Sequence, residues 1–228
     1  MLRKEQHRKY MFDVLKEIYN SHFSKNLAFK GGTLCYFLYG LDRFSTDLDF
    51  DIVGELNEEE LFNEINKILS KKGVIKESYN KRFTIFFLFS YGDTDMNIKL
   101  EINKRILQKN KYIVQNFFGT DILVMEKSTI FANKLVALTD RKKIVNRDLY
   151  DIYFFYKNNF LVNEFIIFER TGKTYKEYLV FLLDFIKNMN SNNLLDGLGE
   201  VLDNKQKAFV KEKLIKELIG IIEFNLAF

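Results

Sequence analysis

Residues 29–51, FKGGTLCYFLYGLDRFSTDLDFD, set Asp47, Asp49 and Asp51 alternately with Leu48 and Phe50. In a β-strand, alternate residues project to the same face, so this segment has one acidic face and one apolar face. Aspartate is a poor strand former and neighbouring carboxylates repel, so local stability does not account for the pattern. A divalent cation does. Mg²⁺ takes one or two carboxylates and completes its shell with water and substrate phosphates. Upstream, Gly31 and Gly32 allow a nucleoside triphosphate to approach the backbone N–H groups that open the following helix.

Around this segment the apolar pattern predicts an α+β fold. Met11, Val14, Leu15, Ile18 and Tyr19 recur at helical spacing near the start. A short strand is expected over 26–29, a helix over 33–39 with Gly40 as its stop, and the acidic strand over 46–53. Asn57 is placed to cap a helix over 58–72. Three runs rich in β-branched and aromatic residues, 74–79, 82–89 and 96–103, predict strands of an antiparallel or mixed sheet, with a further strand near 122–125. Beyond Glu126 helical patterns take over, at 127–139, 147–157, 175–190 and 205–223. The expected organisation is therefore a catalytic domain over 1–125 and a helical domain over 126–228, with the cleft between them. Gly172-Lys173-Thr174 has the ending of a phosphate-binding loop, but Ile167 stands where that motif needs glycine, so a helix connection is expected instead.

Two-metal phosphoryl chemistry calls for a third carboxylate near the first two. Glu101 is the first candidate, because Lys99, Glu101 and Asn103 share one face of their strand while Ile98, Leu100 and Ile102 share the other; Asp95, closer to a turn, is the second.

The ordered set Lys30-Gly31-Gly32-Thr33, then Arg43-Phe44-Ser45-Thr46-Asp47-Leu48-Asp49, resembles the nucleotidyltransferase superfamily, and within it the AbiEii/AbiGii toxins of abortive-infection and toxin–antitoxin systems. The likeness spans roughly 27–155 and includes Lys134, a basic stretch, and Arg147-Asp148-Leu149-Tyr150-Asp151. It implies a nucleotidyltransferase-like mixed sheet. It also implies metal binding by Asp47 and Asp49, with Glu101 as the candidate third ligand, nucleotide binding by Gly31, Gly32, Thr33, Arg43 and Ser45, triphosphate binding by Lys134, and assistance by Asp148, either polarising the acceptor hydroxyl or orienting a basic partner. The implied reaction moves a nucleoside monophosphate from an NTP, with Mg²⁺ or Mn²⁺, to the 3′ end of tRNA, and an antitoxin is a further implied partner. An antibiotic or protein hydroxyl as acceptor, and a degenerate nucleotide-binding protein without turnover, are the alternative readings.

Composition sets outer limits. The chain has 228 residues, 47% of them apolar and 16% aromatic, enough to fill a core. Its one cysteine, Cys35, excludes an intramolecular disulfide and, inside an apolar run, is expected as a packed thiol. No apolar run approaches the roughly 18 residues of a membrane span, and the charged start has no signal-like core, so a cytoplasmic protein is expected. His7 and His22 are expected at the surface. The net charge of +4 is mild, but Lys99, Lys104, Arg105, Lys109 and Lys111 form one basic group, and Lys134, Arg141, Lys142, Lys143 and Arg147 another; both suit a polyanionic substrate.

Overall fold

A computed structural model of the chain describes residues 3–91, 96–105, 107–141 and 143–227. The chain divides after Met125 into two compact units.

The first unit contains α1 (Lys4–Tyr19), β1 (Leu27–Lys30), α2 (Gly31–Leu38), β2 (Leu48–Ile52), α3 (Glu58–Ser70), β3 (Gly73–Lys81), β4 (Thr84–Tyr91), β5 (Asn97–Asn103), β6 (Tyr112–Phe117) and β7 (Thr120–Met125). Its strands form one seven-stranded mixed sheet in the order β3-β4-β5-β2-β1-β7-β6. Most neighbours run antiparallel, but β2 and β5, and β1 and β7, run parallel. Residue alternation explains how the sheet divides water from core. Ile85, Phe87 and Phe89 of β4, and Ile98, Leu100 and Ile102 of β5, are fully buried, whereas Lys99, Glu101 and Asn103 on the opposite face of β5 are half-buried. Truncating one of the buried residues, as in Leu100→Ala, removes about 2–5 kcal/mol.

Helix α3 covers the apolar face through Leu61, Ile65, Ile68 and Leu69, and Phe62 stacks on Phe87 at 4.9 Å between ring centroids. Its start is fixed by Asn57, whose side chain accepts from the N–H groups of Glu59 and Glu60, as the sequence predicts. In α1, Met11, Val14, Leu15 and Ile18 are fully buried. The Tyr19 hydroxyl that follows is shared between the carbonyls of Leu27 on β1 and Leu123 on β7 (2.8 and 2.5 Å), tying the helix to the parallel pair. Cys35 is buried, as its apolar neighbours require.

The sequence reading differs at the second hairpin and at His7. The strand expected near 122–125 is the second arm of a β6–β7 hairpin, whose turn uses positive φ at Phe118 and Gly119. His7 is 1% exposed rather than at the surface; a polar side chain on the core face of α1 is admitted because both ring nitrogens find partners. His22 is exposed, as expected.

The second unit is helical: α4 (Lys127–Asp140), α5 (Asn146–Lys157), α6 (Glu164–Thr171), α7 (Tyr175–Asn188), α8 (Asn204–Glu212) and α9 (Leu214–Ala227). Phe131 packs its ring against Phe155 and Tyr156 at 5.3 and 4.7 Å, joining α4 to α5. The single helix expected over 205–223 is interrupted at Lys213 into α8 and α9. Helix α6, which the sequence reading omits, buries Ile166 and Ile167 but leaves Phe165 and Phe168 70% and 61% exposed, so its apolar residues mark no single face. Thr174 caps α7 in a capping box with Glu177, which gives the Gly172-Lys173-Thr174 segment its helix-connecting role.

Candidate active site

Pairing brings the predicted carboxylates together. On β2 and β5 the Cα partners are Asp49 with Glu101 and Asp51 with Asn103. Across the other edge of β2, Lys30 of β1 pairs with Asp49. Because directly paired residues share a face, Lys30, Asp49 and Glu101 form one row on the face opposite the apolar core. Asp47 precedes β2, alongside Lys99, whose Nζ lies 3.8 Å from Asp47 Oδ2 and 3.5 Å from Glu101 Oε2. Asp95, the second candidate for the third carboxylate, lies outside the described residues.

Burial pushes the Asp49 carboxyl above the usual carboxylate range; Lys99 opposes that shift, Asp47 adds to it, Lys30 opposes it and Glu101 adds to it. Lys99 shows the complementary effect, since burial works against its charge but Asp47, Asp49 and Glu101 outweigh it and hold the ammonium above its ordinary value.

The two glycines open the space that the site side chains occupy. Gly31 has φ +77°, and a Cβ there would stand 2.3 Å from Asp49 Oδ2. A Cβ on Gly32 would meet Arg43 Nη2 and Ser45 Oγ at 2.9 Å each. Both glycines lie in the first turn of α2, which begins at Gly31, two residues before the start that the sequence predicts. Thr33, Arg43 and Ser45 are 0%, 2% and 4% exposed and turn inward. Thr33 Oγ1 donates to Ser45 Oγ at 2.9 Å and lies against the Asp47 carbonyl, while Arg43 Nη1 donates to the Phe44 carbonyl at 3.0 Å. These bonds fix the 43–47 loop that delivers Asp47.

His7 belongs to the same support, a role the sequence did not suggest. Its Nε2–H donates to the Thr46 carbonyl (2.9 Å), and its Nδ1 accepts from the Tyr91 hydroxyl (2.6 Å), which is the neutral tautomer. Burial holds its pKa below the ordinary value, with the Thr46 bond and Asp47 opposing.

Asp51 has a different environment from Asp49. It is 2% exposed and accepts from Lys30 Nζ (2.5 Å), Asn103 Nδ2 (2.7 Å) and the Tyr112 hydroxyl (3.0 Å). Those bonds join β1, β2, β5 and β6 on the site face.

In the second unit, Lys134 of α4 lies between two buried carboxylates of α5, 2.6 Å from Asp148 Oδ1 and 2.9 Å from Asp151 Oδ2. Arg141 Nη1 meets Asp148 Oδ2 at 2.7 Å. Asp148 and Asp151 are 1% and 0% exposed, so these four residues form a paired network within the helical unit.

The basic groups are partly committed elsewhere. Lys99 sits among the carboxylates, and Lys104 bridges to Glu58 at 2.5 Å while donating to Asn80 Oδ1 and the Lys81 carbonyl. Arg105 lies over the exposed Phe83 ring at 4.7 Å, with Arg82 at 4.9 Å. Lys142 is outside the described residues.

No group of three or more His, Cys, Asp or Glu among the described residues closes into a metal cage. The donor set nevertheless fits Mg²⁺ or Mn²⁺: the Lys99 ammonium already draws Asp47 and Glu101 toward one point, and Mg²⁺ needs only one or two carboxylates beside water and phosphate. Among the described residues, no helix is long and apolar enough to cross a membrane.

A mixed sheet with a glycine turn beneath an Asp-x-Asp strand, followed by helices, defines a nucleotidyltransferase-like protein. The fold agrees with two crystal structures from Helicobacter pylori. One is JHP933 (TM-score 0.62, 21% identity, covering 100% of this chain and 93% of that one), and the other is a candidate nucleotidyltransferase (TM-score 0.64, 24% identity, covering 100% and 96%). Among curated proteins no sequence match is found. The family model described as nucleotidyl transferase AbiEii toxin, type IV toxin–antitoxin system, matches residues 13–212, and the chain belongs to that family.

Proposed function

We propose that this chain is a metal-dependent nucleotidyltransferase toxin that transfers a nucleoside monophosphate from an NTP to the 3′ end of tRNA, releasing pyrophosphate and blocking translation. The observation that carries the reading is the pairing of Asp49 with Glu101 on adjacent parallel strands, with Gly31 pressed against the Asp49 carboxylate. Asp47, Asp49 and Glu101 would hold the metal. Such an ion, when bound, offsets phosphate charge and polarises the bond to the leaving pyrophosphate.

The protein's own residues supply the rest. Gly31 and Gly32 admit Asp49, Arg43 and Ser45 against the first turn of α2, whose backbone N–H groups would receive phosphate oxygens. Thr33, Arg43, Ser45 and His7 hold the loop that aims Asp47. Lys134 supplies a point charge for the triphosphate, and Asp148, buried and paired with Lys134 and Arg141, orients these basic partners. The RNA acceptor is supported by the exposed aromatic and guanidinium groups at Arg82, Phe83 and Arg105, since single-stranded RNA is recognised through stacking and phosphate contacts. An antitoxin completes the expected partners.

The test is incubation with each α-labelled NTP, Mg²⁺ and total cellular RNA, followed by gel separation. Label in the tRNA band, lost with Asp49→Ala, is the expected result. Label in protein or in a small molecule would replace the acceptor, and no label anywhere with any NTP would favour the degenerate nucleotide-binding reading.

A further inference from the structure

Lys99 occupies the face that carries the carboxylates. Alternation along β5 puts it beside Glu101, and the register Leu48 with Leu100 brings Asp47 alongside it from the neighbouring strand. Its Nζ is 3.5 Å from Glu101 and 3.8 Å from Asp47, and 35% of its side chain is exposed. Lys30, the cation on the other side of Asp49, is held differently. It lies 2.5 Å from Asp51, a carboxylate 2% exposed and further bonded to Asn103 and Tyr112. Lys30 is therefore a fixed structural cation. Long, partly exposed contacts such as those of Lys99 are weak, and a flexible four-carbon stem lets its ammonium turn away at small cost.

Lys99 relieves the repulsion among Asp47, Asp49 and Glu101, yet it takes up the same oxygens that a divalent cation would use. Both cations cannot keep the same contacts. A triphosphate offers the displaced ammonium a stronger set of acceptors than solvent does.

We infer that Lys99 is a resident counter-cation of the carboxylate site, which yields its place to the divalent metal and passes to the triphosphate, coupling metal loading to nucleotide binding. The inference rests on the reading of Asp47, Asp49 and Glu101 as metal ligands. No covalent bond is made or broken; the ammonium keeps its protons and exchanges carboxylate for phosphate oxygens. Reciprocity then requires that nucleotide raise metal affinity by the factor by which metal raises nucleotide affinity.

The experiment measures Mn²⁺ binding, from the electron paramagnetic resonance of the free ion, for wild type, Lys99→Met, Lys99→Arg and Asp49→Ala, with and without a non-hydrolysable NTP analogue. Without nucleotide, Lys99→Met should bind Mn²⁺ about tenfold more tightly than wild type, the scale of removing one nearby positive charge at partial exposure. It should also gain less from the analogue, while Lys99→Arg stays near wild type. Lys99→Gln carries the same comparison if the methionine variant does not fold by circular dichroism. Equal or weaker Mn²⁺ binding by the neutral variants, with binding lost in Asp49→Ala, overturns the role of Lys99 alone. Wild-type Mn²⁺ binding by Asp49→Ala overturns the metal assignment itself.

Discussion

Asp49 and Glu101 are Cα partners on neighbouring parallel strands, although far apart in sequence, and the Asp49 carboxylate rests against Gly31. This contact joins the three predicted parts of the site, the glycine turn, the Asp-x-Asp strand and the third carboxylate, within one unit of the protein.

Asp49→Asn should lower transfer by at least the order of 10²–10³ seen when a single electrostatic contact to the reacting groups is lost. The same change should stabilise the metal-free protein near neutral pH. Burial raises the carboxyl in the folded state above its ordinary 3.8, so above that pH the unfolded chain gives up the proton more readily and unfolding is favoured. The variant should therefore melt higher than wild type at pH 7, and the gap should close as pH falls toward 4. Thermal scans in chelator at several pH values check this; a variant melting well below wild type at pH 7 contradicts it.

Gly31 and Gly40 both have positive φ, +77° and +75°, but a Cβ at Gly40 meets nothing within 4 Å. Alanine at either position costs about 1–2 kcal/mol for the left-handed backbone. Only Gly31→Ala also displaces Asp49, so only that variant should lose transfer while still folded. Activity at matched folded fraction separates the two, and equal activities would remove the contact from the mechanism.

Lys134→Ala should do two things. It removes a charge proposed for the triphosphate, and it leaves Asp148 and Asp151 buried without their shared cation, at a cost of about 3–5 kcal/mol. Denaturant midpoints measured beside KM for NTP distinguish these effects. Unchanged midpoint and unchanged KM would make Lys134 a bystander in both respects.

His7 links acid sensitivity to the loop that delivers Asp47. Its folded pKa lies below the ordinary 6.5, so the stability contributed by the neutral ring is fully present above about pH 6.5. As pH falls below that value, the unfolded chain takes up a proton that the folded chain resists, and stability declines. The melting temperature of His7→Gln, lower than wild type at pH 7.5, should approach it by pH 5.5. Parallel pH profiles would show that the ring does not titrate on unfolding.

If tRNA is held by the exposed cations, neutralising Arg105, Lys109 and Lys111 should reduce the logarithmic salt dependence of binding by roughly 0.7–0.9 per charge. Lys104→Gln should instead destabilise the protein, because its charge is committed to Glu58 and the β3–β4 hairpin. Binding titrations against salt, with melting curves, test both, and a salt-independent wild type would argue against RNA on this surface.

Much of the first unit was legible because local rules wrote it. Asp47-Leu48-Asp49-Phe50 shows a strand with one apolar face, Asn57 marks the start of α3, and Ile98, Leu100 and Ile102 fix which side of β5 is buried. Alternation with a period of two residues assigns a face, but it does not choose a neighbour. The pairing of Glu101 with Asp49, the placement of Lys99 between Asp47 and Glu101, and the enclosure of Asp51 by Lys30, Asn103 and Tyr112 all come from strand order and register. His7 and Lys134 make the same distinction. A sequence states that a side chain carries a ring nitrogen or an ammonium; only tertiary packing supplied Thr46 and Tyr91 to one, and Asp148 and Asp151 to the other, because the cost of burying a polar group is met by partners brought from distant parts of the chain.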